Sequence, residues 1–194
     1  MKALTSVPFR FDAADHAYFI DGIQVPSVTS LLEESGWRDS TWLTEEGRRR
    51  GTAVHELCAR FDLGALDVAR YDGPLRGWLL AYEKAVSIVR PRWDSIEEAR
   101  VHPFWRYGCR ADRVGHVYGL RAVAELKSGQ PHKSDRIQLA LQCFVVAAEY
   151  DLPAHRVARF AFYPKCNGKC PVVEFTNRRD FDIAREIVRQ YCRR

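Results

Sequence analysis

The sequence predicts an α/β (α+β) domain with a central mixed β-sheet flanked by helices. Three observations carry this. Segments with the two-residue alternation of strands cluster in the middle of the chain. Segments with the i, i+3, i+4 spacing of amphipathic helices stand on either side of them. The composition is that of a globular chain: 194 residues, 46% hydrophobic and 28% charged. At this length one domain buries roughly 70% of its unfolded surface, and the mix excludes collagen-like, low-complexity and disordered classes.

The elements follow in order. Tyr18-Phe19-Ile20 and Ile23-Gln24-Val25 flank Asp21-Gly22, a dipeptide that tolerates the positive φ angles of a hairpin turn. Ser27, after Pro26, caps a short helix carrying Val28, Leu31 and Leu32. A longer helix is predicted from Thr44 to Asp62, with Glu45 and Glu46 in its first turn, a stripe of Val54, Leu57, Cys58 and Phe61, and Gly64 just beyond. Leu75, Trp78, Leu79, Tyr82, Val86 and Val89 mark a helix over 74–89. Three strands follow at 95–101, 108–114 and 117–127, the last two joined at Gly115-His116. A helix from Ser134 or Asp135 to Tyr150 buries Ile137, Leu141, Phe144, Val145 and Ala148. Strands at 157–163 and 172–175 form a hairpin, and a helix over 180–191 closes the chain with Arg185 and Arg189 outside. Neither a repeat nor a linker interrupts this order. The chain reads as a single domain with an N-terminal hairpin and helices (1–92), a sheet and helix (93–150), and a C-terminal hairpin and basic helix (151–194).

The net charge is +5, and its excess lies at one end: residues 151–194 hold 10 Lys and Arg against 5 Asp and Glu. That imbalance favours a polyanionic partner such as nucleic acid. Of the six cysteines, Cys58, Cys109 and Cys143 sit in apolar periodic segments, where a thiol packs as a small hydrophobe. Cys166 and Cys170 bracket Asn167-Gly168, a turn signal, at a spacing that suits neither zinc nor an iron–sulfur cluster, so no cluster is expected. No apolar run is long enough for a membrane helix and none resembles a signal peptide, so the expected location is the cytoplasm.

The chemistry concentrates in Glu125-Leu126-Lys127. On a strand, residues two apart leave the same face, so the acid and the amine stand side by side. Asp112 lies 13 residues earlier, across a short turn, within reach of Glu125. Two adjacent carboxylates repel unless a proton or a metal lies between them. A hard divalent cation satisfies them, since magnesium takes one or two carboxylates plus waters and phosphate oxygens. Lys127 beside them can hold an attacking water and neutralise charge developing on phosphorus.

Asp112, then Glu125-x-Lys127, then Gln138 in Gln-Leu-Ala-Leu-Gln, preceded by Arg50-Gly51-Thr52-Ala53-Val54-His55, resembles the PD-(D/E)XK nuclease superfamily, in its RecB-type and lambda-exonuclease-like branch. Tyr18, Asp21-Gly22 and Pro26-Ser27-Val28-Thr29 resemble the opening of its phage members. The resemblance spans about residues 18–150. It implies a restriction-endonuclease-like core and a Mg²⁺- or Mn²⁺-dependent deoxyribonuclease, an exonuclease acting on DNA ends in recombination, repair or phage DNA processing. An endonuclease and a non-catalytic DNA-binding or recombination module stand as alternatives. Asp112, Glu125, Lys127 and Gln138 would be catalytic. His55, Glu98, Asp112, Glu125 and the Leu126 carbonyl would hold one or two ions, with Glu97 competing with Glu98 because the strand register is open. Arg48, Arg50, Gly51, Lys133, Arg136, Arg185 and Arg189 are the candidates for contact with DNA. A recombination or single-strand annealing protein and a second copy of the chain are further candidate partners. The chain departs from the pattern twice: Gln142 stands where the branch shows Tyr, and Ala111 precedes Asp112 in place of Pro.

Overall fold

The computed structural model describes residues 7–39, 41 and 44–192. Its elements run β1 (Phe9–Asp12), β2 (Ala17–Ile20), β3 (Ile23–Val25), α1 (Val28–Glu34), α2 (Glu45–Asp62), α3 (Arg76–Val89), β4 (Arg92–Val101), β5 (Gly108–Val117), β6 (Leu120–Leu126), α4 (Asp135–Glu149), β7 (Ala158–Phe162), β8 (Val172–Glu174) and α5 (Arg179–Tyr191). The main sheet has the order β4-β5-β6-β7-β8. Only the β6–β7 pair in it is parallel. A parallel pair needs a crossover, and α4 supplies it. The α/β class expected from the periodicities is the class observed.

Helix starts follow local chemistry. Ser27 and Ser30 form a reciprocal capping box on α1, and the Thr44 hydroxyl accepts from the Gly47 N–H at 3.1 Å to open α2. Alternation along β6 then divides the core. Ala122, Ala124 and Leu126 pack with Val54 and Cys58 of α2 and Tyr82 of α3. Val123 packs on the other face with Ile137, Leu141 and Phe144 of α4 and with α5. The sheet is thus sandwiched between two helical layers. A fully buried Leu126 contributes about 1.5–3 kcal/mol to this packing.

Two expectations are corrected. Gly115 and His116 lie inside β5, and the β5–β6 turn is at Tyr118-Gly119, whose φ angles of 52° and 79° suit a two-residue hairpin. Gly115 is instead a point of close approach, where any Cβ would meet the backbone of Arg92 and Trp93. Strand β1 was not expected from the sequence. Its four residues carry too short a pattern, and it forms because β2 pairs with it, setting the Phe11 and Tyr18 rings 4.8 Å apart.

The small β1-β2-β3 sheet is tied to the main one where the Gly108 N–H donates to the Pro26 carbonyl at 2.8 Å. The ring of Tyr18 occupies the place where a Gly108 side chain would stand. All six cysteines are free, with Cys58, Cys109 and Cys143 buried. Asn167-Gly168 makes the expected turn, with Gly168 at φ 78° and Lys165 N–H donating to Lys169 O at 2.9 Å. Among the described residues, no helix is long and apolar enough to cross a membrane.

Candidate active site

Register brings the acids together. Arg113 pairs with Ala124 in the β5–β6 ladder, so Asp112 stands one step on, across from Glu125. On the other side, Ile96 pairs with Arg113 and Glu98 with Ala111, so Glu97 stands across from Asp112. The turn at residues 118–119 sets this alignment; a two-residue turn at 115–116 would have aligned Asp112 with residue 119 instead. Asp112 Oδ2 accepts from the Leu126 backbone N–H at 2.6 Å, which is how Leu126 enters the site.

His55, on α2, faces this edge. Its Nδ1 lies 3.4 Å from Asp112 Oδ1 and 3.6 Å from Glu97 Oε1. Ligand atoms of His55, Glu97 and Asp112 all lie within 4.8 Å of one another. Glu97, and not Glu98, is therefore the additional acid. Glu98 points to solvent and accepts from Arg100 at 2.8 Å. Glu97 takes up a left-handed φ of 53° inside β4, a conformation that costs about 1–3 kcal/mol in a non-glycine residue. Three cations surround its carboxylate: Arg110 Nε at 3.3 Å, Arg113 Nη1 at 3.6 Å and His55.

Glu125 is buried and held by side chains. Its Oε2 accepts from Lys127 Nζ at 3.0 Å and Gln138 Nε2 at 2.7 Å, and its Oε1 accepts from Gln142 Nε2 at 2.6 Å. Lys127 Nζ also donates to Gln138 Oε1 at 2.8 Å. Alternation explains this: with Leu126 in the α2–α3 core, Glu125 must face α4, where Gln138 and Gln142 stand one helical turn apart.

The charges are strongly coupled. Burial disfavours the imidazolium of His55, but the Asp112 carboxylate outweighs it, and with Glu97 and Glu125 it lifts His55 to about 10. Burial pushes Asp112 up, yet the charge of His55, then Lys127 and the Leu126 N–H, bring it below the ordinary carboxylate value. Burial and the neighbouring Asp112 charge raise Glu125, against the pull of Lys127 and Gln142. Lys127 is held in its charged form because Glu125, Asp135 and Asp112 overcome its burial.

This donor set fits a divalent cation. One imidazole and two carboxylates converge, and Glu97 Oε1 is buried without a hydrogen-bond partner, a lone pair that an ion would satisfy. The site opens into a cleft of about 750 Å³ whose lining includes Arg38, His55, Glu97, Arg110, Asp112 and Gln142.

None of the residues expected to contact DNA is among those lining this cleft. Arg48 and Arg50 are exposed on the first turns of α2. Gly51 lies against the loop after Lys127, where an added Cβ would meet Ser128 Oγ at an ordinary 3.5 Å. Lys133 is exposed, 6.0 Å from the Trp37 ring. Arg136 is corrected to a structural role: it bonds Asp180 Oδ1 at 2.5 Å, and the fully buried Arg159 bonds Oδ2 of the same carboxylate at 2.9 Å. Arg185 and Arg189 pair with Asp182 and Glu186 on the outer face of α5. The cleft instead presents Arg38 and Arg110. Arg110 had a sequence signal, two residues before Asp112 on one strand; Arg38 had none.

Compared with known proteins, the chain matches no protein-family model and no curated protein sequence.

Proposed function

We propose that this protein is a divalent-metal-dependent deoxyribonuclease of the PD-(D/E)XK type, an exonuclease that hydrolyses phosphodiester bonds at DNA ends in recombination or repair. The observation that supports it best is the convergence of His55, Glu97 and Asp112 on one point beside the Glu125–Lys127 pair, at the wall of an open cleft. A bound Mn²⁺ or Mg²⁺ would polarise the scissile phosphate and lower the pKa of water. The protein's own groups divide the remaining tasks. Asp112 and Glu97, with His55, would hold the ion, and Glu125 stands across from Asp112 on the next strand. Lys127, charged and fixed by Glu125 and Gln138, donates hydrogen bonds to the attacking water and to oxygens that gain negative charge. Arg110 and Arg38 meet the phosphates flanking the scissile bond.

End-labelled linear duplex DNA, incubated with Mn²⁺, with Mg²⁺ or with a chelator, tests this reading. Shortening from the ends with metal alone is the expected result. Cutting of closed circular DNA at a matching rate would make the protein an endonuclease. Undegraded DNA with both ions would overturn the nuclease reading.

A further inference from the structure

The site contains a group that metal binding and the Lys127 contact leave unused. Gln142 is 2% exposed and lines the cleft. Its Nε2 donates to Glu125 Oε1 at 2.6 Å, while its Oε1 is buried without a partner. A buried amide oxygen without a donor costs free energy, so packing alone does not account for a glutamine here. A methionine or leucine would fill the same space without that oxygen, but would leave Glu125 Oε1 without its donor.

The donors on Glu125 are unequally shared. Oε2 accepts from both Lys127 and Gln138, and Oε1 accepts from Gln142 alone. An ionised carboxylate offers about two acceptor directions per oxygen. Oε2 is therefore saturated, and the remaining direction on Glu125 belongs to Oε1. The Gln142 N–H fixes the orientation of that oxygen. Glu97 Oε1, on the far side of Asp112, likewise makes no hydrogen bond, though His55 Nδ1 and Arg113 Nη1 each lie 3.6 Å from it. The Gln142 oxygen, with no donor or cation beside it in a residue that lines the cleft, points to a partner that completes it on binding.

We infer that Gln142 is a positioning residue of the metal centre: its amide N–H aims the free lone pair of Glu125 at a divalent ion, and its amide oxygen is the acceptor for a water that the ion brings into the cleft. This rests on the metal-centre part of the proposed function and assigns a role to the residue that departs from the family pattern. Gln138 acts differently. It shares Oε2 with Lys127, so that oxygen keeps one charged donor when the amide is removed.

Mn²⁺ binding to the full chain, measured by isothermal titration calorimetry, tests this beside the thermal stability of the metal-free protein. Gln142→Met, with Gln142→Leu as the second variant should methionine not fold, is expected to weaken Mn²⁺ binding about 10- to 100-fold. The metal-free melting temperature falls by a few degrees at most, because the orphaned amide oxygen is removed while Glu125 Oε1 loses its donor. Gln138→Met weakens binding less than either. Wild-type Mn²⁺ affinity in both Gln142 variants, or a lower metal-free melting temperature as their only effect, overturns the inference and leaves the nuclease reading standing. Failure of the wild-type protein to bind Mn²⁺ overturns both. Binding without DNA cleavage, with Gln142→Met still weakened, removes the nuclease reading alone.

Discussion

Two buried clusters of charge lie back to back on β5, and they are built on opposite principles. Behind the strand, Arg113 and Asp62 are both almost fully buried, joined at 2.6 Å, with the Tyr82 hydroxyl donating to the same Asp62 oxygen at 2.8 Å. One carboxylate meets one guanidinium there, so the pair is closed in charge, although Arg113 Nη2 is buried without a hydrogen-bond partner. In front, Asp112, Glu97 and Glu125 share His55, Lys127, Arg110 and the edge of Arg113, and orphaned acceptors remain on Glu97 and Gln142. Asp180 repeats the closed pattern, with Arg136 and Arg159 on its two oxygens. A cluster whose charges balance in one pair holds the fold together, whereas one that gathers several acids at the wall of a cleft is the candidate for binding.

The largest expected effect breaks this comparison if it is absent. Arg113→Met leaves Asp62 buried and unpaired and should cost about 3–5 kcal/mol in denaturant unfolding. Asp112→Asn removes the charge that His55 and Lys127 face while its side-chain oxygen can still accept from Leu126 N–H, and should cost less, about 1–2 kcal/mol. Equal losses in the two variants would erase the distinction between structural and binding clusters. Lys127→Ala should lower DNA cleavage about 10²- to 10³-fold with an unchanged circular dichroism spectrum. A cleavage rate near wild type would take Lys127 out of the chemistry.

Acid stability sharpens the contrast from a third place. His102 is buried, its Nδ1 accepts from the Trp105 N–H at 3.0 Å, and burial lowers it from 6.5 to about 4. The unfolded chain binds a proton here before the folded one does. Stability from this group is complete above pH 6.5 and declines as the pH falls towards 4, by about 3 kcal/mol at most. His102→Gln should flatten that part of the curve, read as unfolding midpoints between pH 7 and 4. An unchanged slope would place the acid sensitivity elsewhere.

The smallest effect concerns Glu97. In an ordinary strand, alanine is more stable than glycine by roughly 0.5–1 kcal/mol. With φ at 53°, Glu97→Gly should instead be more stable than Glu97→Ala by about 1 kcal/mol. The ordinary order in calorimetric melting would show that the backbone at Glu97 is unstrained.

Much of this was legible before the fold was known. The Asp21-Gly22 and Asn167-Gly168 turns, the Ser27 and Thr44 caps and the strand face of Glu125 and Lys127 depend on neighbours in the chain, and each stands where the sequence placed it. The choice between Glu97 and Glu98 was not legible, because it turns on a one-residue register and a backbone conformation that the flanking strands impose. The roles of Arg136 and the buried Arg159 were equally hidden, since Asp180 lies 44 and 21 residues from them.

By itself the amino-acid order determined the α/β class, the helix starts and which acid and amine share the end of β6, because caps, turns and alternation act over a few residues. Only the tertiary structure decided that Glu97 joins His55 and Asp112, that Gln142 reaches Glu125, and that Arg136 pairs with Asp180. Those outcomes depend on how the strands align and which helix face meets the sheet, and packing of the whole core selects both.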